Sequence, residues 1–137
     1  MESVREYRII TNNPLTAACV PDRYQVDLYP EESYRDILVR VRDMVYGGHK
    51  LYTHPLAGSV KPNETPYKSI VVSREPKAKM DLDEALLIAS AVETFDKFTP
   101  RRRVLTEEMH KDFQLIDYTL LCGALGLDAL AGLSNKK

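Results

Sequence analysis

The 137-residue chain contains no tryptophan, three phenylalanines, six glycines and only two cysteines. Cys19 and Cys122 each sit among small or apolar neighbours, in Ala17-Ala18-Cys19-Val20 and Leu120-Leu121-Cys122-Gly123. Their spacing matches no zinc or dithiol redox pattern and makes no disulfide framework. Two buried thiols in a reducing compartment are expected. Charge of one sign is also lacking, since nineteen basic side chains face twenty acidic ones for a net charge of -1. Without a basic field, neither nucleic acid nor an anionic membrane is expected as a partner. No uncharged apolar run is long enough to span a bilayer, and Met1 to Glu6 holds none that would serve as a signal peptide. A cytoplasmic location is the corresponding expectation.

Motifs are missing too. Gly58-Ser59-Val60-Lys61 lacks the spaced glycines and the Gly-Lys-Ser/Thr ending of a phosphate loop. His54, Ser59 and Glu64 have the residue types of a hydrolytic triad but fall within one loop, with no nucleophile elbow. His49 and His54 flank a predicted strand and would point to opposite sides, His110 lies in the other half, and capping accounts for Asp81, Asp83 and Glu84. Neither a metal nor a cofactor is expected. Arg101-Arg102-Arg103 has no interleaved aromatics and reads as a solvated connector.

What is present is an ordinary globular composition, 44% hydrophobic and 28% charged. At this length such a chain can bury a core without staples. Tyr7 to Thr11 reads as a strand, and Asn13-Pro14 as the cap and first turn of a short helix ending before Pro21. Tyr24 to Tyr29 alternates like a second strand. Ser33 and Asp36 form a capping-box variant before a helix carrying Tyr34, Ile37, Leu38, Val41 and Val45 on one face, closed by Gly47-Gly48. Lys50 to Thr53 and Ser69 to Ser73 read as a third and a fourth strand. Asp81 and Glu84 start a helix reaching about Phe98. Thr106 caps a last long helix with Met109, Phe113, Ile116 and Leu120 as its buried stripe. The stretch from Gly123 to Leu133 reads as a weak helix or docked coil. This order predicts a single α/β domain over residues 1–137, with a mostly parallel four-stranded sheet and helices on both faces.

The informative segment is the polar loop from His54 to Lys68. Connections this long without a pattern of their own are usually functional or disordered. Pro55, Pro62 and Pro66 restrict its backbone and favour order. The turns Thr11-Asn12-Asn13-Pro14-Leu15 and Tyr52-Thr53-His54-Pro55-Leu56 are built alike. If their strands are parallel, both lie at the carboxyl edge of the sheet, where open α/β sheets bind ligands. A helix starting at Pro14 would point N–H groups into the same crevice. Asn12, Asn13, His54, Ser59, Lys61, Asn63, Thr65 and Lys68 are therefore the candidate binding residues for a small anionic molecule. His54 is the candidate catalytic residue.

Three segments carry a family likeness: Ile-Ile-Thr-Asn-Asn-Pro-Leu at 9–15, the stretch from Gly48 to Ser69, and Asp-Phe-Gln-Leu-Ile-Asp at 112–117. Together they resemble the GrdX family, small proteins encoded beside the glycine, sarcosine and betaine reductase genes of anaerobic amino-acid-fermenting bacteria. The resemblance implies a cytoplasmic accessory role, with a reductase component as partner. It brings no assigned catalytic or binding residue. Three functions follow as expectations. The first is an accessory protein that binds a small anion or a reductase component through the 54–68 loop. The second is a small enzyme acting on an acyl or phosphoryl compound with His54 as acid or base. The third is a homo-oligomer assembled through the loop or through Leu125, Leu127, Leu130 and Leu133.

Overall fold

A computed structural model describes residues 6–56, 65–77, 79–98 and 104–134. Its elements are β1 (Tyr7–Thr11), α1 (Pro14–Cys19), β2 (Gln25–Leu28), α2 (Tyr34–Tyr46), β3 (Ser69–Ser73), α3 (Leu82–Lys97), α4 (Glu107–Leu125) and α5 (Ala129–Ser134). The sheet has three strands in the order β2-β1-β3, with β1 and β2 parallel and β1 and β3 antiparallel. This corrects the expected four-stranded, mostly parallel sheet, while the class stays α/β.

The lost strand has a local cause. Lys50 to Thr53 contributes one isolated bridge, Leu51 opposite Val72, held by Tyr52 N–H to the Val71 carbonyl and Ser73 N–H to the Lys50 carbonyl. On either side of it, side chains take the places of backbone groups. The Thr53 hydroxyl accepts from Val71 N–H, the Ser73 hydroxyl accepts from Lys50 N–H, and the His49 ring pairs with the Ser73 carbonyl. Leu51 N–H goes to the Glu84 carboxylate. Such side-chain bonds compete directly with a ladder. The 50–53 segment is thus the first arm of a wide hairpin. β3 is its returning arm, and so it runs against β1.

Alternation along the strands divides the core in two. Ile10, Ile70 and Val72 face α2 and α3, where they meet Ile37, Leu38, Val41 and Ile88. Ile9 and Val71 face α1 and α4, where they meet Cys19, Tyr118, Leu121 and Cys122. Full burial of each such aliphatic side chain contributes about 1.5–3 kcal/mol. Both cysteines are buried and neither forms a disulfide. Among the described residues no helix is long and apolar enough to cross a membrane.

Helix ends follow the capping pattern. Ser33 and Asp36 exchange bonds in a full capping box, Asp81 accepts from Glu84 N–H, and Thr106 accepts from Met109 N–H. The backbone N–H and hydroxyl of Ser33 hold the Asp36 carboxyl below its usual range. Ser33→Ala is expected to cost about 1 kcal/mol, read as a fall of a few degrees in Tm.

The buried stripe of α4 differs from expectation. Asp117, Tyr118, Leu121 and Cys122 are buried, whereas Ile116 and Leu120 are exposed. The helix is rotated by about one position relative to the Met109-Phe113-Ile116-Leu120 line, which brings an acidic residue into the interior. The C-terminal stretch docks as α5 after Gly126 ends α4 in the left-handed conformation, φ 69°. Leu125, Leu127 and Leu133 pack against the α1/α4 core, and Leu130 stays exposed.

Candidate functional site

The carboxyl end of β1 and the start of β3 share one edge of the sheet, because Thr11 pairs with Ser69. Buried polar side chains collect there. Thr11, Asn12, Asn13, Thr16, Lys68, Ser69 and Asp117 are all buried. A buried polar group is costly unless hydrogen-bonded, so each must be accounted for.

Asn13 caps α1, its side-chain oxygen accepting from Leu15 N–H at 3.0 Å. Its amide nitrogen donates to the Gln114 carbonyl at 2.9 Å and to Asp117 Oδ2 at 3.0 Å. The Asn12 side chain accepts from Lys68 N–H at 2.9 Å and donates to the carbonyls of Glu32 and Pro66. Both side chains are therefore engaged inside the protein. Asn12 fixes the backbone of Lys68, and Asn13 ties α1 to α4.

Asp117 Oδ1 accepts from Ser69 N–H at 3.0 Å, and its Oδ2 accepts from Ser69 Oγ at 2.6 Å. With its proton given to the carboxylate, Ser69 Oγ receives the hydroxyls of Thr11 at 2.7 Å and Thr16 at 3.1 Å. Thr11 Oγ1 accepts in turn from Asn13 N–H at 2.9 Å. The hydroxyl of Ser69 thus has its donor and both lone pairs in use. It lies beside a cavity but has no free electron pair to act as a nucleophile.

Lys68 is different. It is 8% exposed, yet its ammonium has no hydrogen-bond acceptor and no ion-pair partner within reach among the described residues. It stands 5.9 Å from the centroid of the Tyr34 ring. Burial pulls its pKa below the ordinary 10.5, and Asp117 pulls it partly back. Burial likewise pushes the Asp117 carboxyl up, against the pull of Ser69, Asn13 and Lys68. The raised Asp117 value contributes stability that is full below pH 3.8 and lost as pH rises through the folded value. The lowered Lys68 value contributes stability that is full above pH 10.5 and lost as pH falls through its folded value. At neutral pH burial therefore works against both charges, and the hydrogen bonds and their mutual attraction offset part of that cost.

Two hollows adjoin this pair. The larger, about 250 Å³, is lined by Thr53, His54, Lys68, Ser69, Asp117 and apolar residues of α4. The smaller, about 20 Å³, lies between Tyr34, Thr65, Tyr67, Lys68 and Asp117. His54 is exposed, and its Nδ1 accepts from Leu56 N–H at 3.0 Å, which leaves the ring proton on Nε2. Tyr67 reaches α4 through its hydroxyl, 2.8 Å from His110 Nδ1 and 3.0 Å from Gln114 Nε2.

Of the expected binding residues, His54 and Lys68 share the larger cavity, and Thr65 joins Lys68 at the smaller one. Asn12 and Asn13 lie behind them. Ser59, Lys61 and Asn63, like Arg101 to Arg103, lie outside the described residues. Tyr34 and Asp117 were not among the expected binding residues. The signal for Asp117 was a competing stripe, Gln114, Asp117, Tyr118, Leu121, Cys122 and Leu125, whose polar members disguised it as the solvated face.

A comparison with protein families matches the model of the GrdX-like proteins over residues 8–126. The chain belongs to the GrdX-like family. The match takes in β1 from Arg8 onward, the loop and Asp117. Searches of curated proteins and of solved structures returned no match.

Proposed function

We propose that this GrdX-like chain is an accessory protein that binds a small anionic molecule in the cavity beside Lys68. The observation that carries the reading is Lys68, a buried residue at a cavity wall whose ammonium has no hydrogen-bonded acceptor among the described residues. An ammonium drawn largely out of bulk water gains from an anion seated on it. The Nε2–H of His54 supplies a second donor at the same cavity. Recognition of a reductase component belongs to the same proposal, with the 54–68 loop as the contact. The family membership supports it.

Thermal-shift titration with glycine, sarcosine, betaine, acetyl phosphate and nucleotides is the direct test. One of them is expected to raise Tm in the wild type and not in Lys68→Met. Absence of a shift with every compound would sink the reading. Binding of an anion also holds Lys68 protonated. The stabilisation should therefore fade as pH rises through the lowered pKa of Lys68, before an ordinary lysine would titrate at 10.5. Titrations from neutral to alkaline pH check this, and a flat profile would assign the anion to another group.

His54 at the cavity favours one second reading, a small enzyme acting on an acyl or phosphoryl compound. It requires that acetyl phosphate be consumed by the wild type and left intact by His54→Ala, while both variants bind it.

A further inference from the structure

We propose that the Lys68 site takes a monocarboxylate, with the carboxylate seated between the Lys68 ammonium and the Tyr34 hydroxyl. This rests on the anion reading above and narrows it to a chemical class. Tyr34 is 6% exposed, and among the described residues its hydroxyl has no hydrogen-bond partner. Buried tyrosine hydroxyls usually find one. Tyr34 and Lys68 line the same small recess, whose volume of about 20 Å³ holds one oxygen-sized atom. Two groups able to donate, one of them charged and neither with a hydrogen-bond partner among the described residues, thus belong to residues that line one recess. A carboxylate is a pure acceptor with two oxygens and suits both.

Asp117 limits the charge that can enter. Asp117 lines the recess and the larger cavity alike, and its field acts on both Lys68 and Tyr34. Lys68 and Asp117, both ionised, leave the walls described neutral, so a single entering negative charge is the smallest that an anion can add. A second, as on phosphate or sulfate, would face Asp117 with no further cation in the walls described. Leu120, Leu121 and Ala124 of α4 form the apolar side of the larger cavity, which fits a short carbon chain rather than a phosphate.

The test is isothermal titration of the full chain at pH 7 with acetate, propionate, inorganic phosphate and sulfate, using wild type, Tyr34→Phe and Lys68→Met. Propionate is expected to bind at least tenfold more tightly than phosphate or sulfate. Tyr34→Phe should weaken it about tenfold, and Lys68→Met should remove it. The Tyr34 ring stacks on Phe95 at 5.3 Å, so loss of the hydroxyl alone leaves the packing in place, and circular dichroism verifies it. Tighter binding of phosphate or sulfate, abolished by Lys68→Met, would overturn the carboxylate class and leave the anion reading standing. Unchanged propionate affinity in Tyr34→Phe would overturn the seat between the two donors. No binding of any of the four, with no shift in the wider thermal screen, would overturn both readings.

Discussion

Asp117→Ala is expected to lose about 3–5 kcal/mol of stability and roughly 10–20 °C in Tm. Three donors converge on this carboxylate: Ser69 N–H, Ser69 Oγ–H and the Asn13 amide. Alanine leaves all three without this acceptor, and removes the negative charge described near Lys68. The raised pKa of Asp117 sets an opposing effect, since removal of a buried charge also removes its desolvation cost. The donors decide the balance. An unpaired buried donor costs about 1–3 kcal/mol, and here there are three to satisfy.

Asp117→Asn separates charge from hydrogen bonding. Whichever way the amide is turned, its NH2 meets a donor that cannot reverse, either Ser69 N–H or the Asn13 amide. The Asn variant should therefore fall well below the wild type, despite its near-identical shape. Urea unfolding followed by circular dichroism measures both. A loss below 1 kcal/mol in Asp117→Ala would mean that water replaces the carboxylate. The cluster would then be a wet pocket and not a structural knot. Ser69→Ala should cost less, about 1–2 kcal/mol, because Ser69 N–H and Asn13 still hold Asp117.

This cluster also explains which parts of the fold were legible. Ser33, Asp81 and Thr106 cap their helices as their sequences indicate, because capping is decided within four residues. The α2 stripe was legible because each of its five buried positions is apolar or aromatic. In α4 the inward line carries Gln114 and Asp117, and hydrophobic periodicity favours the outward line of Ile116 and Leu120 instead. A polar residue on a buried face is invisible to that criterion until its partners, Ser69 and Asn13, are known from the fold. Strand 50–53 failed for a related reason. Its composition is that of a strand, but Thr53, Ser73 and Glu84 take its backbone partners from distant or adjacent positions. The Asn-Pro-Leu and His-Pro-Leu turns were expected to share the carboxyl edge on condition that both follow parallel strands, and 50–53 forms only an isolated bridge. Segment 50–53 runs opposite to β3, and hence with β1, whatever the number of strands. What sequence could not assign was the division of labour at that edge. Asn12 and Asn13 spend their side chains on positioning, and the Lys68 ammonium has no hydrogen-bond acceptor among the described residues.

Gly132→Ala should be the second large effect, at about 2–3 kcal/mol, against the usual rule for helices. Alanine in place of glycine ordinarily stabilises a helix interior by up to about 1 kcal/mol. Gly132 lies in α5, where that helix crosses the end of α1 and the middle of α4. A methyl there would overlap the Tyr118 hydroxyl and come within 2.9 Å of the Cys19 carbonyl oxygen. Neither neighbour yields easily. Tyr118 is 1% exposed and donates to the Ala129 carbonyl at 3.2 Å, and the Cys19 oxygen belongs to the backbone of α1. Overpacking of this kind costs about 1–3 kcal/mol and outweighs the propensity gain. Tyr118→Phe in the same chain removes the overlapping oxygen but not the Cys19 contact. The double variant should therefore recover about half of the loss, a non-additivity that a double-mutant cycle in urea reads directly. A Gly132→Ala protein as stable as the wild type would show that α5 lifts from Tyr118 at little cost. Leu125, Leu127 and Leu133, now packed on the α1/α4 core, would then form an apolar surface able to meet a second copy or a partner.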